Sequence, residues 1–137
     1  MADTLNPLHV EIITPDGAIY TEDSVKMVVG RATDGEFAVM KNHLPLAAAL
    51  EVAPIRIIGA NGEKKIAVFG GFLEVKDNAV NVIAPLAELA ETIDIARAEA
   101  AKKRAEDRLA KKDEGVDVER AQAALRRALV RLQIAGK

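Results

Sequence analysis

A change of hydrophobic period near residue 90 divides this chain into two parts that need different explanations. Before it, short runs of alternating apolar residues are separated by turn dipeptides. After it, apolar residues recur every three or four positions in an Ala- and Arg-rich stretch that runs to residue 137. Strand and helix periods cannot substitute for one another. The chain is therefore expected to fold as a β part, residues 1–88, followed by a helical part, residues 89–137.

The two parts also differ in charge. Residues 1–90 carry seven Lys and Arg against twelve Asp and Glu, a net −5, whereas residues 91–137 carry twelve against nine, a net +3. A mildly basic arm suits an acidic protein surface or a polyphosphate, and it equally suits a solvated helix. Cysteine is absent, which excludes disulfides, thiolate metal sites and a cysteine nucleophile; a reducing cytoplasm is the simplest setting. The N-terminus has neither a basic region nor an apolar run, and no stretch approaches the roughly 18 apolar residues of a membrane span. A soluble protein is expected, with any membrane association made through a partner.

In the first part, Leu8, Val10 and Ile12 alternate with His9, Glu11 and Ile13 until Thr14-Pro15-Asp16-Gly17 breaks the run, which predicts a strand and a turn. Further strands are expected at 18–20, 25–29, 36–39, 55–58, 65–69, 73–76 and 79–83. Asn61-Gly62 predicts a tight hairpin with both residues at positive φ. Short strands at this spacing point to an antiparallel sandwich or barrel. Gly70-Gly71 lacks the Lys-Ser/Thr and the helix of a phosphate loop, so a bulge or close backbone approach is expected there. The only histidines are His9 and His43, and no nucleophile, base and orienting group fall together, so an enzyme is not expected. His43 reads as a turn or partner-contacting residue.

The second part predicts a helix that starts at Thr92 or Asp94, either of which can cap it, and continues to about Lys112. Asp113-Glu114-Gly115 supplies a break, and Asp117 caps a second helix. Ile95, Ala98, Ala101, Ala105 and Leu109 form one apolar stripe; Val118, Ala121, Leu125, Leu129 and Leu132 form its match. Two such helices make an antiparallel hairpin. Its alanine-rich seam buries little, since each methylene contributes only about 0.8 kcal/mol, and the hairpin is expected to be marginal by itself.

Charged residues align as well. Asp94, Arg97, Arg104 and Arg108 share a face of the first helix, and Arg120, Arg127 and Arg131 share one on the second. Arg binds phosphate or carboxylate through two parallel N–H groups, so a site lined from both helices can hold the phosphates of a nucleotide. The alternative is a solvated face, on which pairs such as Glu99 with Lys103 contribute about 0.2–0.5 kcal/mol each. A stand-alone nucleotide-sensing or nucleic-acid-binding module is the competing class. An acidic first part and an aromatic content of 3% argue against nucleic acid.

Several separate motifs occur in an order that resembles the epsilon subunits of bacterial F-type ATP synthases over nearly the whole chain. They are Thr14-Pro15-Asp16-Gly17, His43-Leu44-Pro45-Leu46, Ala67-Val68-Phe69-Gly70-Gly71-Phe72-Leu73-Glu74-Val75 and the ending from Ala121 to Lys137. The resemblance implies a sandwich of about ten strands followed by two antiparallel helices. It implies a non-catalytic subunit of the central rotor that couples proton flow to ATP synthesis. The sandwich would dock on the gamma subunit and the c-ring, and the helices would extend along gamma toward the alpha and beta subunits and oppose ATP hydrolysis. Such a protein is peripheral on the cytoplasmic face of the membrane, held there through the complex.

Ile93-Asp94-Ile95-Ala96-Arg97-Ala98 is similar to the nucleotide-binding motif of epsilon subunits that bind ATP. By that resemblance Arg97, Arg127 and Arg131 meet phosphate oxygens, Asp94 orients an arginine or contacts the nucleoside, and Ile93 and Ala98 supply apolar packing. Glu88, Arg104 and Arg120 take supporting positions, with ATP as a regulatory ligand and no obligatory cofactor. Two departures from the family pattern stand out. Met40-Lys41-Asn42-His43 replaces a Leu-Pro-Gly-His loop, with Asn42 able to adopt the left-handed conformation of the missing Gly, and Pro85 stiffens the junction.

Overall fold

The structure, a computed structural model, describes residues 7–111 and 115–136. Residues 1–6, Lys112, Asp113 and Glu114 of the expected interhelical break, and Lys137 lie outside the described residues. Two units are distinguished, with the division between Ala87 and Glu88. The first is built of strands β1 (Leu8–Thr14), β2 (Gly17–Ala32), β3 (Gly35–Met40), β4 (Leu46–Ala49), β5 (Val52–Gly59), β6 (Gly62–Phe69), β7 (Phe72–Lys76) and β8 (Ala79–Ile83), and a ninth short strand, β9 (Ala87–Leu89), spans the division. The second unit carries a helix at Ile95–Lys111 and another at Val118–Ile134.

The β unit is the mostly antiparallel sandwich expected, with nine strands among the described residues rather than about ten. Its hydrogen-bonded order runs β4-β7-β8-β1-β2-β5-β6, with β3 also on β2. Only the β1–β8 pair among these is parallel. The strands expected at 18–20 and 25–29 are one strand of 16 residues. Its first half pairs with β1 up to Val25, and from Val25 onward it pairs with β5 and, from Met27, with β3. Register shifts on both sides of Val25, and Ser24 at φ 61°, bend the strand where it changes partners. Leu8, Val10, Ile12, Leu73, Val80 and Val82 on one side, and Val28, Val39, Ile55, Ile66 and Val68 on the other, are fully or almost fully buried.

Turn chemistry explains the registers. Thr14 pairs with Gly17, Ala32 with Gly35 and Gly59 with Gly62, so each hairpin has two turn residues followed by a glycine at positive φ. The expected Asn61-Gly62 hairpin therefore forms one residue out of register: its turn residues are Ala60 and Asn61, and of the pair Asn61-Gly62 only Gly62, at 116°, has positive φ. The tight turn with two left-handed residues lies instead at Asp77-Asn78, at 51° and 62°, between paired Lys76 and Ala79. Gly71 shows the close approach expected, because a Cβ there would fall 2.2 Å from the Ile83 carbonyl oxygen.

In the helical unit, Asp94 and not Thr92 begins the first helix. Its Oδ1 accepts the Arg97 N–H at 3.0 Å, while Thr92 Oγ1 donates to the Leu89 carbonyl at 2.8 Å. Asp117 caps the second helix as expected, accepting from the Arg120 N–H at 3.1 Å. The first helix buries Ala98 and Ala105; the second buries Ala121, Ala128, Val130, Leu132 and Ile134. The apolar stripe expected on the second helix is thus corrected: Val118 and Leu129 are 49% and 44% exposed, and Ala128 takes the seam position one residue before Leu129.

Candidate functional site

A cavity of about 440 Å³ lies within the helical unit, lined by Glu88, Thr92, Asp94, Arg97, Ala98, Ala101, Arg104 and Arg131. That volume is within the range of small-molecule sites. Asp94, Arg97, Ala98, Ala101 and Arg104 fall on one face of the first helix because their spacings of three and four match its period. Arg131 enters from the last turn of the second helix, and Glu88 from the segment ahead of the first.

Three guanidinium groups and two carboxylates therefore share one cavity. The carboxylates already have work: Asp94 caps the helix, and Glu88 accepts from Arg131 through both oxygens, Oε1 at 2.8 Å from Nε and Oε2 at 3.1 Å from the guanidinium Nη2. This pair is about three-quarters buried on both sides. Arg97 and Arg104 are exposed, and among the described residues no hydrogen bond or ion pair of their side chains is found. Two unengaged guanidinium forks beside a helix N-terminus make an anion-receiving surface.

The residues picked from the sequence divide accordingly. Glu88, Asp94, Arg97, Ala98, Arg104 and Arg131 come together around the cavity. Ile93 is half-buried at the end of the turn Ala90–Thr92 and does not line it. Arg127 is exposed one turn before Arg131, and Arg120 is exposed in the first turn of the second helix; neither lines the cavity. Thr92 and Ala101, expected from the sequence only as a cap and a stripe residue, line it as well, since a hydroxyl and a methyl at these positions carry no signal for a ligand. Asp94→Ala is expected to lower the stability of the helical unit by about 1 kcal/mol through loss of the cap, read as a lower urea midpoint of its far-ultraviolet helical signal.

His43 lies on the loop after β3. Asn42 adopts φ 64°, the left-handed conformation anticipated for it, and its N–H donates to Asn78 Oδ1 at 2.6 Å. His43 Nδ1 donates to the Leu44 carbonyl at 2.6 Å, which aims the ring along the loop rather than at a companion base. Met40 and Leu44 flank it, 59% and 78% exposed.

A second surface was not singled out from the sequence. Ala49 of β4 faces Phe72 of β7, Phe72 faces Ile83 of β8, Ile83 faces Ile13 of β1, and Ile13 faces Ala18 of β2. Five apolar side chains thus form a row across five neighbouring strands, about 19 Å at the usual strand spacing, with Phe72 60% exposed and Ile83 47% exposed. In the next row Ala47 is followed by four polar side chains, two of them acidic: Glu74, Asn81, Glu11 and Thr21.

Comparison with known proteins assigns both units. The family described as ATP synthase, Delta/Epsilon chain, beta-sandwich domain matches residues 7–90, and its long alpha-helix domain matches residues 91–136. The ATP synthase epsilon chain of Pelotomaculum thermopropionicum is 55% identical over 129 residues, 94% of this chain and 96% of that one. The epsilon chain of Priestia megaterium is 47% identical over 108 residues, 79% of this chain and 80% of that one. Among solved structures, a chain of the Euglena gracilis mitochondrial ATP synthase shares the fold at a TM-score of 0.79 and 22% identity, covering 96% of this chain and 82% of that one.

Proposed function

The chain belongs to the ATP synthase delta/epsilon family as an epsilon chain, a non-catalytic stalk subunit, and from that membership we propose a rotor subunit whose helical arm senses ATP. The sandwich docks on the gamma subunit and the c-ring, which couples proton flow to ATP synthesis. The apolar row through Phe72 and Ile83, beside its acidic row, supports such docking: a strip of this kind on a sheet face favours a partner with matching apolar residues and neighbouring basic ones. The loop with Met40, His43 and Leu44 supplies a second contact. No helix among the described residues is long and apolar enough to cross a membrane; in this reading the chain is held at the cytoplasmic face through the complex.

The arm regulates hydrolysis. In one state its helices pair as a hairpin; in the other they extend toward the alpha and beta subunits and oppose ATP hydrolysis. The observation that carries ATP sensing is the meeting of Arg97, Arg104 and Arg131 around one cavity within the hairpin. A cavity lined from both helices exists only while they are paired, so a nucleotide bound there favours the hairpin. A hundredfold preference for that form shifts the balance by about 2.7 kcal/mol.

Co-purification tests the docking half of the reading. Recovery of the wild-type chain with gamma, alpha and beta subunits is expected. Phe72→Asp, which places a charge in the apolar row without touching the core, is expected to lower recovery by about tenfold or more. Full recovery of this variant would exclude the row from the interface. Failure of the wild-type chain to join these subunits would remove the rotor reading itself.

A further inference from the structure

We propose that Glu88 is an internal occupant of the phosphate fork of Arg131, so that a ligand must displace a carboxylate to use that arginine. The proposal rests on the nucleotide reading of the cavity. The Glu88 carboxylate meets Arg131 through two near-parallel contacts of 2.8 and 3.1 Å, the geometry in which a guanidinium takes two oxygens of a phosphate. The two residues are 43 positions apart, so the pair ties the segment before the first helix to the last turn of the second. In it an acidic side chain covers donors an anionic ligand needs, whereas the other carboxylate of the cavity, Asp94, is turned to the backbone N–H of Arg97.

Substitution of one anion for another on the same fork has two consequences. The site acquires a charge threshold. A singly bound phosphate exchanges one carboxylate for one phosphate on Arg131 and gains little, whereas a triphosphate that also reaches Arg97 and Arg104 gains two further charge-assisted contacts. Binding also releases Glu88, which sits at the entry to the arm, so occupancy of the cavity is reported to the segment that joins the arm to the sandwich.

The test titrates the full-length chain with inorganic tripolyphosphate, which has no nucleoside, and separately with ATP, using calorimetry. Glu88→Gln keeps the shape and removes the charge, and is expected to bind tripolyphosphate about fivefold more tightly than wild type, the bias expected of a partly exposed ion pair. Glu88→Asp, too short to span the fork, should show a gain of the same sign. Adding Arg131→Ala should erase the gain, and a thermal melt of each variant confirms a folded chain. Unchanged or weaker tripolyphosphate binding in folded Glu88→Gln overturns the proposal, even if wild-type binding of ATP upholds the nucleotide reading. If wild type does not bind ATP but Glu88→Gln binds tripolyphosphate through Arg131, the displacement stands and the ATP reading falls. If neither ligand binds either protein, both fall.

Discussion

Gly71→Ala is expected to destabilise the sandwich by about 3 to 5 kcal/mol, combining backbone strain with a steric clash, and to leave much of the chain unfolded at moderate urea. The residue has φ 101°, a conformation that a side chain disfavours. Its missing Cβ would also lie 2.2 Å from the Ile83 carbonyl oxygen and 2.8 Å from the Ala84 Cα. Both obstacles are backbone: one is the last residue of β8, where Ile83 pairs with Phe72, and the other is the residue just after it. Relief would therefore pull β7 from β8. The Gly71 carbonyl also accepts the Leu50 N–H at 2.8 Å, so movement disturbs the link between β4 and β5 as well. Gly70→Ala is the control: φ is 82°, but nothing lies within 4 Å of the added carbon, so only strain of about 1 to 2 kcal/mol is expected. Equal urea midpoints for the two variants would refute the role of the close approach.

Arg97→Ala is expected to weaken ATP binding by about ten- to hundredfold, the value of one charged hydrogen-bonding group at a phosphate. Its guanidinium reaches the cavity from the first turn of the first helix, and among the described residues no hydrogen bond or ion pair holds it. Arg104→Ala should have a smaller effect of the same sign. Arg127→Ala should weaken binding least of the three, because Arg127 does not line the cavity and acts from one turn away. Calorimetry on the isolated chain orders these variants. A wild-type protein that gives no heat at millimolar ATP would end the ATP-sensing proposal and leave the family assignment untouched. A larger loss from Arg127→Ala than from Arg97→Ala would mean that the nucleotide lies across the outer face of the second helix instead.

Much of this architecture is legible in the chain because it depends on local pattern. Alternation marks β1 through Leu8, Val10 and Ile12, and Asp94 and Asp117 announce the helices they cap. The errors come where local pattern is silent or ambiguous. The stretch Thr21 to Ser24 reads as polar loop, yet hydrogen bonding on both sides of Val25 carries it through as one strand. The three alanines of Leu46–Ala49 make β4 without any β-forming signal, because pairing with β7 supplies what propensity does not. At Asn61-Gly62 composition predicts a turn, but the register is set by the neighbouring strands, which place the glycine after the turn. At the cavity, Asp94, Arg97 and Arg104 share a face by helical period alone. The two helical stripes predict the fold-back that brings Arg131 near them, but periodicity does not record the pairing of Arg131 with Glu88, 43 residues away. The apolar row on the sheet is harder still: its members run from Ile13 to Ile83 in the chain, and only the strand order makes them neighbours.

The length of β2 separates the mechanical characters of the two units. One covalent strand supplies both halves of the sandwich with partners, so neither half can slide along the other without stretching or rupturing that strand. Force entering at one sheet is handed on with little give, as in a part cut from a single piece of stock. The helices meet along Ala98, Ala105, Ala121 and Ala128, side chains with no rotamers to unlock and little to interdigitate. Resistance to sliding and ease of parting thus fall in different units, divided between Ala87 and Glu88.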